Sequence, residues 1–156
     1  MHRLICAFIV VAAAAPAMAA PVTLDGDRWQ QLSSVGRATF ALPDVRDADR
    51  HGAADRWDIA GPAGGDCEDK ALFARAALIE KGWPASSLRL ALVWTETHEY
   101  HAVLTIDVVR RGEPATYVID SRFAWVVGWD MLTRFGYRWD RRQSAQGPGW
   151  IRIAQP

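Results

Sequence analysis

The sequence predicts an α+β domain in which one largely apolar helix packs on a mostly antiparallel sheet. Three observations lead there. A glycine-rich loop, Ala60-Gly61-Pro62-Ala63-Gly64-Gly65, gives way to a stretch dense in strong helix formers at positions 67–81. Segments rich in β-branched and aromatic residues follow at 88–94, 101–109 and 116–120. Between the last two, Arg110-Arg111-Gly112-Glu113 reads as a hairpin loop. With 156 residues, 50% of them apolar, the chain suffices for one domain with a real core, assigned to residues 20–156.

In chain order, Arg3 is followed by an uncharged apolar run to Ala15, then Pro16 and the small-residue pattern Ala17-Met18-Ala19. Residues 1–19 therefore read as a secretory signal peptide. The run is too short for a retained anchor, and nothing later approaches the roughly 20 apolar residues a membrane span requires. Without the signal the chain carries 17 basic against 18 acidic residues. That balance argues against a nucleic-acid partner, which calls for a basic excess. Cys6 leaves with the signal, so Cys67 has no partner for an internal disulfide. A lone thiol in an oxidising compartment is either buried and inert or put to use.

Positions 21–65 are weakly periodic, with apolar anchors at Trp29, Leu32, Val35, Phe40, Leu42 and Trp57, and a short helix at 29–35. Asp66 suits a helix N-cap, with Asp69 three positions on imitating a capping box. Gly82 ends the helix and Pro84 prevents its resumption. Few positions between them are polar, so most of the helix circumference is expected to be buried. Past Asp120, residues 123–135 read as loop and short helix, and 137–139 and 150–153 as strands.

The start of a helix favours a thiolate at Cys67, and a histidine is needed to pair with it. Among His51, His98 and His101, the last stands at the head of a strand, where backbone fixes the ring. A four-residue loop at 110–113 pairs Val109 with Pro114 and, counting outward, Val103 with Asp120. Asp120 then shares a sheet face with His101, close enough to orient it. A register slip of one residue separates them. For an oxyanion hole, the candidates are the Cys67 backbone N–H and a donor from the preceding segment, Trp57 being one, although Trp57 also reads as a core anchor. Trp125 and Trp129 are candidates to line a substrate cleft.

The motifs Gly65-Asp66-Cys67-Glu68-Asp69-Lys70-Ala71, Gly82-Trp83-Pro84, His101-Ala102-Val103-Leu104-Thr105 and Tyr117-Val118-Ile119-Asp120 resemble, in order and spacing, the bacterial transglutaminase-like cysteine peptidases. Gly136-Tyr137-Arg138-Trp139 and Arg142-Gln143-Ser144 resemble that family's end. The resemblance implies a papain-like, transglutaminase-like fold and a Cys-His-Asp triad at Cys67, His101 and Asp120. It also implies a periplasmic, calcium-dependent protease acting on a protein substrate, a large surface adhesin whose cleavage releases cells from biofilm. The family's calcium ligands correspond to Asp66 and Glu68, with Asp69 adjacent. Carboxylates around Cys67 oppose thiolate formation unless a cation such as calcium neutralises them, yet the same acids suit a helix start without metal. This chain departs from the family in having Ser121 where an Asn is usual, and in showing no long helix before Gly52.

The sequence thus points to a secreted cysteine protease. An acyl-transferring enzyme with the same triad and a catalytically idle periplasmic binding module are the alternatives.

Overall fold

The computed structural model describes residues 21–52 and 55–154. The expected signal peptide lies outside them. In order the elements are α1 (Gly26–Ala41), α2 (Asp47–His51), α3 (Cys67–Glu80), a 3-10 turn (Ala85–Ser87), β1 (Leu88–Trp94), β2 (Tyr100–Arg110), β3 (Glu113–Ile119), β4 (Val127–Gly128), α4 (Trp129–Arg134), β5 (Arg138–Gln143) and β6 (Trp150–Arg152). The strands form one antiparallel sheet in the order β4-β3-β2-β1-β5-β6. The α+β expectation holds.

Alternation along the strands gives the sheet two apolar faces. Leu88, Leu90, Leu104, Ile106 and Ile119 meet α1 and α3 through Leu32, Val35, Ala74 and Leu78. Ala91, Val93, Val103 and Val118 face the other way, against Leu132 of α4, Tyr137 and Trp139. Among the described residues, no helix is long and apolar enough to cross a membrane.

Two expectations about helices need correction. The short helix at 29–35 is the middle of α1, which has 16 residues and is capped by the Asp25 side chain accepting from the Arg28 N–H at 2.8 Å. A long helix therefore does precede Gly52. Its buried stripe of Leu32, Val35, Gly36 and Thr39 follows helical spacing, but Ser, Gly and Thr weaken its propensity and mask it in sequence. In α3, burial is confined to the first turn and to Ala71, Ala74 and Leu78, while Ile79 is exposed. The surrounding alanines cover little area and stay partly open.

The hairpin register is as expected, although its loop is shorter. Arg110 pairs with Glu113, leaving Arg111 and Gly112 as a two-residue turn, both with positive φ (53° and 85°). Shortening the loop by one residue on each side preserves the pairing of Val109 with Pro114. The ladder runs to Leu104 and Ile119, which puts Asp120 just past the end of β3.

The approach to α3 is a tight crossing. The Gly65 N–H donates to the Pro43 carbonyl and the Val45 N–H to the Gly65 carbonyl, both at 3.2 Å, pinning residues 43–45 against the loop. Gly64 has φ +89°, and a Cβ there would stand 2.2 Å from the Pro43 carbonyl oxygen. Replacing Gly64 with Ala is expected to lower stability by at least about 1 kcal/mol in thermal or urea unfolding. Gly147→Ala, where a Cβ meets nothing within 4 Å, should leave it nearly unchanged.

Candidate active site

Cys67 is the first residue of α3, where unpaired backbone N–H groups and the helix dipole favour negative charge. The thiol is half-buried, and the Ala102 main chain of β2 hydrogen-bonds to it. Its own proton goes to Glu68, with Sγ donating to Oε2 at 3.1 Å. His101, on β2, opens onto the same cleft of about 630 Å³, whose walls include Phe40, Asp66, Tyr100 and Arg122.

The diagonal contact expected across the hairpin is present: His101 Nε2 lies 2.8 Å from Asp120 Oδ1. Asp120 is fully buried. Burial works to raise its pKa, but the hydrogen bond and charge of His101, with bonds from Tyr137 and the Arg122 N–H, outweigh it and hold the carboxyl below its ordinary value. With Nε2 engaged, the other ring nitrogen, Nδ1, is available to the cleft.

The acids on the other side of Cys67 act in the opposite sense. Burial first, then the hydrogen bond and charge of Glu68 and the charge of Asp66, push the thiol up to about 12. Burial also pushes Glu68 up to about 7, with the Asp66 charge adding to it. Burial and the neighbouring acids together favour the neutral thiol.

One carboxylate oxygen each from Asp47, Asp66 and Glu68 lie within 4.8 Å of one another. Oδ1 of Asp47 and Oδ1 of Asp66 are buried with no hydrogen-bond partner. Buried carboxylate oxygens left without donors, converging with a third acid, are costly unless a positive charge joins them. An all-oxygen set suits a hard divalent cation.

Two sequence expectations change here. Asp66 occupies the N-cap position, yet its side chain makes no capping hydrogen bond. Asp69 stands apart from the cluster: Oδ1 accepts the Asp58 N–H at 2.7 Å and Oδ2 lies 3.6 Å from Arg50. The third acid is Asp47, which sequence reasoning missed because it lies in a polar stretch with several other aspartates and no telling spacing. Tyr137 and Arg122, which contact Asp120, were also missed as site residues. Trp57 is partly exposed with its ring edge-on to Trp150, and neither it nor Trp125 lines the cleft. Trp129 is stacked on Trp139, with centroids 3.4 Å apart, and borders a different groove.

A thiol at a helix start thus shares a cleft with a carboxylate-held histidine, an arrangement from which nucleophilic thiol chemistry can be built. The chain belongs to the bacterial transglutaminase-like cysteine proteinase family (BTLCP), whose model matches residues 10–156. Solved structures of LapG from Legionella pneumophila share the fold. The EGTA-treated form aligns with a TM-score of 0.62 at 20% identity over 81% of this chain and 67% of that one. The calcium-bound form gives a TM-score of 0.61 at 23% identity, over 80% and 71%. The chain thus spans about two thirds of the length of those structures. A comparison with curated proteins found no match.

The raised Glu68 pKa predicts an unusual pH dependence of stability. Between its ordinary value of 4.5 and about 7, the folded state holds a proton that the unfolded state has released, so stability falls as pH rises through this window. Thermal melts in chelator from pH 5 to 7.5 should show that fall, and Glu68→Gln should reduce it. Parallel curves for the two proteins would contradict the assignment.

Proposed function

We propose that the protein is a secreted, periplasmic cysteine endopeptidase in which Cys67 is the nucleophile, His101 the proton carrier and Asp120 its orienting acid. The observation that carries this reading is the buried His101–Asp120 bond opening onto the cleft that holds Cys67. Cys67 Sγ bonds to the substrate carbonyl carbon while its proton resides on His101 Nδ1. The Cys67 backbone N–H, free at the helix start, stabilises the developing oxyanion. His101 then gives the proton to the departing amine as the C–N bond breaks. Water next attacks the thioester, His101 takes its proton, and the carboxylic product leaves as the thiol is restored.

Asp47, Asp66 and Glu68 would hold a calcium ion, whose charge would offset the acids that oppose the thiolate. The two orphaned carboxylate oxygens support this. The substrate we propose is a periplasmic or surface protein, of the large adhesin type.

Alkylation of Cys67 by iodoacetamide near neutral pH, with calcium present, should be roughly tenfold or more faster than in His101→Ala. Equal rates would remove the ion pair. Calcium at 100 times its dissociation constant should stabilise the wild type by about 2.7 kcal/mol, read as a rise in melting temperature, and Asp47→Asn should lose most of it. No shift in either protein would leave the acids without a metal. Product analysis with and without an added amine separates hydrolysis from acyl transfer. Full cellular effect in Cys67→Ala would instead establish a binding module.

A further inference from the structure

The His101–Asp120 pair is backed by a second row of groups that fixes where its protons lie. Asp120 accepts at Oδ1 from His101 Nε2 and from the Arg122 backbone N–H, each at 2.8 Å, and at Oδ2 from the Tyr137 hydroxyl at 2.7 Å. The direction of the last bond follows from its neighbour. Arg122 Nη1 lies 2.9 Å from the same Tyr137 oxygen, and a guanidinium can only donate. The tyrosine oxygen therefore receives from Arg122 and gives its single proton to Asp120. Arg122 is itself held by Glu96, with Nη1 3.0 Å from Oε2 and Nη2 2.5 Å from Oε1.

Three donors therefore converge on Asp120, from the His101 ring, the Arg122 N–H and the Tyr137 hydroxyl, so its carboxylate acts as an acceptor at both oxygens. The proton shared with His101 then belongs to the imidazole, on Nε2. That leaves Nδ1 as the nitrogen able to take a proton from the cleft. We infer that Tyr137, oriented by Arg122 and Glu96, is a positioning residue that fixes the His101 tautomer through Asp120. Tyr137 touches no substrate; it acts on the reaction only through Asp120. The inference rests on the roles given to Cys67, His101 and Asp120 above.

The local backbone is built for this contact. Gly136 has φ +106°, and a Cβ there would come within 3.3 Å of the Glu96 Cβ. Glycine thus lets the turn leading into Tyr137 close against the loop that carries Glu96. Tyr137 is buried among the apolar residues of the second core, so a plain packing role is the competing account. Phenylalanine would fill that role equally well.

The test is Tyr137→Phe, read in three ways: melting temperature, the rate of Cys67 alkylation by iodoacetamide at neutral pH with calcium present, and the ¹⁵N signals of the His101 ring. The relay predicts a folded variant, alkylation slowed roughly tenfold by loss of a buried hydrogen bond to a charged group, and a ring pattern moved from the Nε2–H tautomer toward a mixture. Glu96→Ala, which frees Arg122 and keeps the tyrosine, should move the ring signals in the same direction by less. A folded Tyr137→Phe with an unchanged ring pattern and rate would overturn the inference. If Tyr137→Phe does not fold, Glu96→Ala and Arg122→Lys decide by the same ring signals, and no change in either overturns it. A wild-type alkylation rate no faster than that of His101→Ala would sink the peptidase reading instead, and the ring signals would still decide the relay.

Discussion

The hydrogen bond between His101 and Asp120 is the contact on which the site's arrangement depends, and it exists only because of one hairpin register. His101 lies on β2 and Asp120 just beyond the end of β3. A slip of one residue would turn the carboxylate to the other face of the sheet. The register is secured at one end by a two-residue turn whose Arg111 and Gly112 both take left-handed conformations. Along its length it is held by the apolar alternation that sends Leu104 and Ile119 to one core and Val103 and Val118 to the other. The fold and the site are thus fixed by the same pairing.

On the other side of the thiol, two influences oppose each other. The start of α3 favours a negative sulfur, whereas burial and the charges of Glu68 and Asp66 disfavour it. Glu68 goes further by accepting the thiol's own proton. Among the described residues, the cluster of Asp47, Asp66 and Glu68 holds two buried oxygens with nothing to bond. A divalent cation there would satisfy the oxygens and, by the same charge, offset the part of the pressure on the thiol that comes from the acids.

The parts of this architecture carried by local signals could be read from the sequence. Loop glycines followed by helix formers located the start of α3 at Cys67, and β1 was bounded correctly because it is a short apolar run set off by Pro84 before it and the polar Glu96-Thr97-His98 after it. The His101–Asp120 contact could be derived because hairpin geometry depends on counting, and a miscounted loop of even length did no harm. Contacts made by the tertiary fold left no such trace. Asp47 joins Asp66 and Glu68 only because residues 43–45 are pinned beside Gly65, and no spacing rule links positions 47 and 66. Asp69 lies outside that cluster for the same kind of reason, since its carboxylate is engaged by the Asp58 N–H and Arg50. Tyr137 stood in a recognisable motif, but its partner Arg122 is 15 residues away.

In the proposed mechanism Cys67 becomes a thiolate paired with His101 once the neighbouring acids are neutralised. The most direct measurement is the ultraviolet absorbance of the thiolate at neutral pH during a calcium titration, with Cys67→Ser subtracted as background. Little thiolate is expected in chelator, with a saturating rise on adding calcium to the wild type and a much smaller rise in His101→Ala. A thiol that stays protonated at saturating calcium, or a rise of equal size without His101, would contradict that mechanism.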